Sequence, residues 1–210
     1  RVAEQEFEVV LLAPCLESWN FHAVERSMLE NWQRFLRLTR DFFVNRGFLE
    51  LSTPSLVVCP GLEPTLEPVK VGGAEPRYLP TSPELHLKKL LAQGWCQIFE
   101  IRSCFREGEV SDHHQPEFLM LEYYRAYSPL SAIIADLSDL LAKLEQASLV
   151  VGELGPLESR SVRELFQAHW DFSLTPTTSL EELRGLCRHR GLHIDSADAW
   201  NDLFHRLWLE

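Results

Sequence analysis

In Phe118-Leu119-Met120-Leu121-Glu122-Tyr123-Tyr124, the two-residue period of a strand puts Phe118, Met120, Glu122 and Tyr124 on one face. Apolar residues fall on both faces, so this strand is expected inside a sheet, with Glu122 a carboxylate in the interior. Such a group is costly unless a cation meets it. Two sources of that cation are open: a neighbouring arginine such as Arg102, or a ligand that carries its own positive charge. Glu84 poses the same question. In Ser82-Pro83-Glu84 the serine reads as an N-cap and the proline as a first-turn residue, and the acid complements the helix dipole. That local role competes with ligand binding. His113-His114 admit a metal-ligand reading, but a lone histidine pair in a polar loop is more often solvated, and no metal site is expected from them.

These residues need elements to hold them. From about His22 to Arg46, Leu29, Trp32, Phe35, Leu36, Phe42 and Phe43 recur at helical spacing, and Gly47 offers a left-handed stop. Phe48 to Leu51 reads as a short strand broken by Thr53-Pro54. Between Cys59 and Pro80, prolines and glycines limit the chain to loops with short strand pieces. A short helix opens at Ser82-Pro83-Glu84 and stops before Gly94. Gln97–Arg106 and Glu117–Tyr127 are strand-like and predict an antiparallel hairpin with a long charged tip at Glu107–Pro116. Phe7–Leu12 is strand-like too and could pair at an edge. A helix is predicted from Ser128-Pro129 to about Leu149. Capping boxes Ser161 to Glu164 and Ser179 to Glu182 open two more, and Ala197–Leu209 gives a last one. Residues 152–210 read as a helical insertion packed on the sheet.

The 210 residues suit one domain of ordinary size, and 45% hydrophobic with 24% charged residues is a globular balance. A formal net charge of -11 repels phosphate backbones and argues against general nucleic-acid binding. No run approaches the roughly 18 apolar residues of a membrane span. Five scattered cysteines without C-x-x-C spacing disfavour a disulfide framework or a zinc site, and a cytoplasmic location is expected. The chain starts at Arg1 without a methionine and is expected to be a fragment.

Arg46-Gly47-Phe48-Leu49-Glu50-Leu51-Ser52-Thr53-Pro54 resembles motif 1 of the class II aminoacyl-tRNA synthetases, a segment of about 25–54 with which that family dimerises. Phe99-Glu100-Ile101-Arg102-Ser103-Cys104-Phe105-Arg106-Glu107, continued through His114-Gln115-Pro116-Glu117-Phe118 to Leu121-Glu122-Tyr123-Tyr124, resembles motif 2, about 97–127. The order and spacing are similar to the lysine branch, closest to the elongation factor P (R)-β-lysine ligases, whose version of Thr81-Ser82-Pro83-Glu84-Leu85-His86 this chain resembles. The residues before motif 1 are too few for an anticodon-binding barrel.

The resemblance implies an α+β fold, an antiparallel sheet flanked by helices, and ATP-dependent activation of lysine or (R)-β-lysine as the adenylate. The activated residue then passes to a lysine of elongation factor P. A lysyl-tRNA synthetase fragment charging tRNA and a non-catalytic paralogue acting as a binding module are the alternatives. The substrate carboxylate is itself the nucleophile, so no catalytic triad is needed. An arginine fork must stabilise charge on the phosphoryl oxygens. Arg106 matches the arginine that contacts the α-phosphate, and Phe118 the aromatic on which adenine stacks, with a plain core phenylalanine as the other reading. Glu107, Gly108, His114 and Gln115 match positions around the nucleotide. Ser82, Pro83 and Glu84 match the segment that holds the substrate amino group, and Glu122 and Tyr124 the pair that receives the side-chain ammonium. The family's Arg-Asn-Glu is here Arg106-Glu107-Gly108, with Glu109 displaced by one. The glycine-rich motif 3 and the Mg2+ ligands of the family have no candidate in Gly152–Glu210 and are expected beyond the chain end. The expectation is therefore a C-terminally truncated domain, inactive alone, with open sheet edges and a tendency to self-associate as a homodimer through motif 1.

Overall fold

The computed structural model describes residues 8–11, 25–63, 65–73, 75–111, 114–150 and 157–210. The chain divides into two compact units, 1–155 and 156–210. In chain order the first contains β1 (Glu8–Leu11), α1 (Arg26–Asn45), β2 (Leu49–Glu50), β3 (Lys70–Val71), β4 (Arg77–Tyr78), α2 (Glu84–Leu91), β5 (Gln97–Phe105), β6 (Glu117–Arg125) and α3 (Leu130–Gln146).

The predicted hairpin is the centre of a four-stranded sheet of order β1-β6-β5-β2. Nine residue pairs join β5 to β6, from Gln97 opposite Arg125 to Phe105 opposite Glu117. The expectation of an antiparallel sheet needs correction: β2 runs parallel to β5, Leu49 opposite Ile98 and Glu50 opposite Phe99. A parallel neighbour requires a long crossover, and the connection through β3, β4 and α2 supplies it. The strand predicted near Phe7–Leu12 forms β1 and pairs with β6. Among the described strands β1 and β2 are therefore the edges, and the motif 2 hairpin is interior. β3 and β4 pair separately.

The pleat of β5 and β6 sends alternate residues to opposite sides. Phe99, Leu121 and Tyr123 enter one core with Phe35, Phe42, Phe43 and Phe48, and with Ile133, Leu140 and Leu144 of α3. Phe43 is fully buried. Its ring lies 4.8 to 5.2 Å, centroid to centroid, from Tyr123, Phe99, Phe48 and Phe42. Leu29, expected on this face, is 39% exposed. The first turns of α1 precede the aromatic contacts, which begin with the stacked Trp32 and Phe35. At the other end of α1, Gly47 takes φ +81°, and Phe48 N–H bonds back to Phe43 O at 3.0 Å. The left-handed residue closes the helix and turns Phe48 into the core. Asp136 of α3, itself buried, receives Arg46 at 2.7 Å and Arg125 at 2.8 Å, tying the end of α1 to the end of β6.

The second unit has α4 (Val162–Trp170), α5 (Leu180–His189) and α6 (Trp200–Leu209). Phe166, Leu183, Leu186, Cys187, Leu203 and Leu207 form its own core, fringed by Trp170, Trp200 and Phe204. Both predicted capping boxes close, Ser161 with Glu164 and Ser179 with Glu182. Glu164 is held below the ordinary carboxylate range chiefly by the Ser161 N–H, and Glu182 chiefly by the Ser179 hydroxyl.

Phe43→Ala is expected to destabilise the first unit by about 3–5 kcal/mol, whereas Met28→Ala, on an exposed stretch of α1, stays within about 0.5 kcal/mol. Urea unfolding midpoints measure both. In the second unit the two glutamates release their protons more readily when folded than when unfolded. Their contribution is thus complete above the unfolded carboxylate pKa and is lost as pH falls through the depressed native values. The thermal midpoint followed by Trp170 and Trp200 fluorescence should drop on acidification, and drop less steeply in a Ser161→Ala, Ser179→Ala double variant.

Candidate active site

The face of the hairpin turned away from the aromatic core carries Ile98, Glu100, Arg102 and Cys104 on β5, opposite Tyr124, Glu122, Met120 and Phe118 on β6. Leu87 of α2 is buried against Ile98 and Tyr124, which seats α2 on this face. The approach to α2 is pinned to the strand end by Phe105 N–H donating to Pro80 O at 3.0 Å. His86 lies close enough to Arg102 and Glu100 for both to act on it. Its pKa is lowered, first by burial and then by Lys89 and Arg102, against an opposing pull from Glu100.

Glu84 is the first residue of α2 and meets Lys88 at 2.7 Å, one turn along. Its helix-start position is realised. The predicted cap is not: the residue before the helix is Pro83, with no side-chain cap hydrogen bond. Pro83 already has helical φ and ψ, and its carbonyl takes the first bonds, from His86 and Leu87, leaving Ser82 outside.

Glu122 is 8% exposed and accepts the Tyr124 hydroxyl at 2.5 Å. Arg102 is not its partner. That guanidinium instead donates to Thr53 Oγ1 at 2.5 Å, Pro54 O at 3.2 Å and Ser55 Oγ at 3.1 Å, and lies 3.6 Å from Glu100 Oε1. Glu100 also accepts Thr53 N–H at 2.9 Å. The strand end of motif 1 is thus clamped by two charged residues of motif 2.

Arg106 follows β5 directly, its N–H bonded to Pro116 O at 3.0 Å across the hairpin. Its guanidinium covers the ring of Phe118 at 4.9 Å and lies 3.9 Å from Glu109. Phe118 is buried with Cys104 and Met120. Arg106 and Phe118 therefore share the face that bears Glu122 and Tyr124. Glu107 is bridged to Glu67, its N–H donating to Glu67 O at 2.7 Å. Gly108 has φ +80° with open space where a Cβ would stand, so the turn after Arg106-Glu107 requires glycine for its backbone. His114 turns on Ser111, Nδ1 to Oγ 2.8 Å, at the hairpin tip, and Gln115 is partly buried beside it. His113 lies outside the described residues. The sequence reading missed Glu100. Pairing Gln97 with Arg125 at the outset would have placed it directly across from Glu122.

The family profile described as tRNA synthetases class II (D, K and N) matches residues 20–167. The chain belongs to this class II synthetase family. An elongation factor P (R)-β-lysine ligase homolog from Aquifex aeolicus (strain VF5) is 32% identical over 188 residues, 87% of this chain and 61% of the relative. The elongation factor P (R)-β-lysine ligase of Klebsiella pneumoniae (strain 342) is 37% identical over 139 residues, 63% of this chain and 41% of that protein. The corresponding ligase of Erwinia tasmaniensis is 36% identical over 137 residues, 62% and 40%. The chain thus spans 40% to 61% of the length of these relatives.

α1 and α3 cover the aromatic face of the hairpin and leave the ionic face, with Glu100 and Glu122, clear of them. A groove lined by Arg26, Leu29, Arg34 and Arg37 runs on α1, outside this face. Among the described residues no group of three or more His, Cys, Asp or Glu converges as metal ligands.

Burial pushes the Cys104 thiol up to about 12, with Glu122 and Glu100 adding to the rise against Arg102 and Arg106. Thiolate is the reactive form. In the folded protein at pH 8, Cys59, which is exposed, should react with Ellman's reagent while Cys104 and Cys187 stay unmodified until denaturant is added. Mass spectrometry of the labelled peptides checks the order.

Proposed function

We propose that this domain binds ATP and lysine or (R)-β-lysine, joins them as the aminoacyl-adenylate, and serves transfer of the activated residue to a lysine of elongation factor P. The observation that carries the reading is the shared face: Glu122 and Tyr124 lie on the side of the hairpin where Arg106 covers Phe118, and α2, the helix that Glu84 opens, packs on that side through Leu87. The names of the relatives support the substrate and the acceptor.

In this reading the amino-acid carboxylate attacks the α-phosphorus and pyrophosphate leaves. Arg106 offers two parallel N–H donors to the oxygens on which charge grows. Glu122 and the Tyr124 hydroxyl receive the side-chain ammonium, Glu84 with Ser82 and Pro83 the other amino group. A neutral side chain offers Glu122 nothing in return for its desolvation, which is how a buried acid selects a cationic substrate. A purine fits Phe118 only if Arg106 gives up the ring face, so phosphate and base binding are linked: the guanidinium leaves the ring for the phosphate, and the base takes its place. Glu107, Gly108, His114 and Gln115 line the turn and tip that would close over the nucleotide. Mg2+, which the family uses with ATP, would neutralise phosphate charge.

Pairing of two copies through motif 1 belongs to the same reading, supported by Met28, Leu29, Val44 and Leu49, all exposed on α1 and β2. A cytoplasmic setting is proposed with it; no described helix is long and apolar enough to cross a membrane. A binding module without catalysis is the second reading. It is favoured by Glu109, which draws Arg106 toward a carboxylate instead of a phosphate.

The test uses the full-length protein, ATP, labelled lysine or (R)-β-lysine, and either elongation factor P or tRNA. Label is expected on elongation factor P, and Arg106→Ala should lower amino-acid-dependent ATP–pyrophosphate exchange by about a hundredfold or more. Label on tRNA would transfer the assignment to a lysyl-tRNA synthetase. No exchange in the wild type, with binding of lysine retained, would establish the module.

A further inference from the structure

The ionic face holds a second carboxylate, which the reading above does not use. Glu100 is 2% exposed. Its Oε1 does all the structural work: it accepts Thr53 N–H at 2.9 Å and faces Arg102 at 3.6 Å. Its Oε2 is buried with no hydrogen-bond partner among the described residues. A buried acceptor left in this condition carries its desolvation penalty uncompensated, and native structures contain few of them. The clamp on motif 1 does not account for it, because Thr53 and Arg102 both meet Oε1 and leave Oε2 unused.

Position supplies the account. Glu100 stands directly opposite Glu122 in the hairpin register. Directly paired side chains on one face of an antiparallel ladder have Cβ atoms about 5 Å apart. A primary ammonium, with three donors, spans two carboxylates at such a separation. We infer that Glu100 is a specificity residue of the amino-acid site: Oε2 accepts an N–H from the substrate ammonium that Glu122 receives, so that two carboxylates and not one hold the cationic end of a diamino acid. The inference rests on the proposed lysine or β-lysine substrate and adds the residue that distinguishes an ammonium from a methyl group there.

The test is calorimetric titration of the full-length protein with lysine and with norleucine, which replaces the terminal CH2–NH3+ by a methyl group, in the presence of a non-hydrolysable ATP analogue. Glu100→Gln keeps an oxygen for Thr53 and preserves volume. It is expected to weaken lysine binding at least about tenfold and to leave norleucine unchanged. Glu100→Asp keeps the charge but withdraws it by one methylene, and should fall between wild type and Glu100→Gln. Thermal midpoints of the variants report the clamp separately. Equal losses for lysine and norleucine would overturn the inference, because Glu100 would then act only through the fold. So would unchanged lysine binding in both variants. If wild type shows no preference for lysine over norleucine, the substrate reading itself fails; a wild-type preference that Glu100→Gln leaves intact removes Glu100 alone.

Discussion

A strand pair buried on both faces has no solvent to absorb a mistake in register, and that constraint governs the first unit. Slipping β6 by one residue against β5 exchanges the faces of every side chain. Glu122 would then press into the rings around Phe43, and Tyr123 would lie among the acids. The two faces are so unlike that a slip by an odd number of residues satisfies neither. Phe99, Leu121 and Tyr123 belong with α1 and α3, while Glu100, Arg102 and Glu122 belong where polar partners can reach them.

The aromatic side gives the hairpin the rigidity that the ionic side needs. Phe43 touches rings from α1, from the turn after it and from both central strands, so these elements cannot move independently. Asp136 adds a polar brace at the far end by holding Arg46 and Arg125 together. On the ionic side, Arg102 and Glu100 grip the backbone and hydroxyls of Thr53, Pro54 and Ser55. The segment that resembles a dimerisation motif is therefore bonded directly to residues flanking Glu122. Functional groups on strands braced in this way are placed more accurately than groups on loops. The tip beyond Arg106 is built differently, with a left-handed Gly108 and a local Ser111–His114 contact.

Periodicity made most of this legible. The spacing of Phe35, Phe42 and Phe43 marked the buried stripe of α1, and Gly47 its end. The alternation in Phe118 to Tyr124 separated the two faces of β6, and both capping boxes of the helical unit were readable from Ser and Glu three residues apart. What stayed hidden depended on pairing between distant segments. Nothing local in Phe48–Leu51 states that β2 runs parallel to β5, because direction is set by the crossover. Nothing local at Arg102 shows that it turns to Thr53 and away from Glu122. Ser82 looked like a cap because capping rules read side chains, whereas the carbonyl of Pro83 does the work. The roles of Arg106 and Phe118 came from resemblance, and the contact between them was visible only in three dimensions.

That contact bears on how, in the proposed reading, a chain with a net charge of -11 would handle a phosphate. Arg106 lies near Glu109 and over the ring of Phe118, a contact weaker than a close, desolvated ion pair. On that reading a phosphate competes for the guanidinium through a charge-assisted bidentate contact, and a base takes the ring face it leaves. The acids deeper on this face, Glu100 and Glu122, are set back along the strands by the pleat, with Arg102 held among the oxygens of motif 1. In the proposed reading this separation keeps a phosphate-facing cation and ammonium-facing acids from neutralising each other, the electrostatic condition for holding an anionic nucleotide and a cationic amino acid side by side.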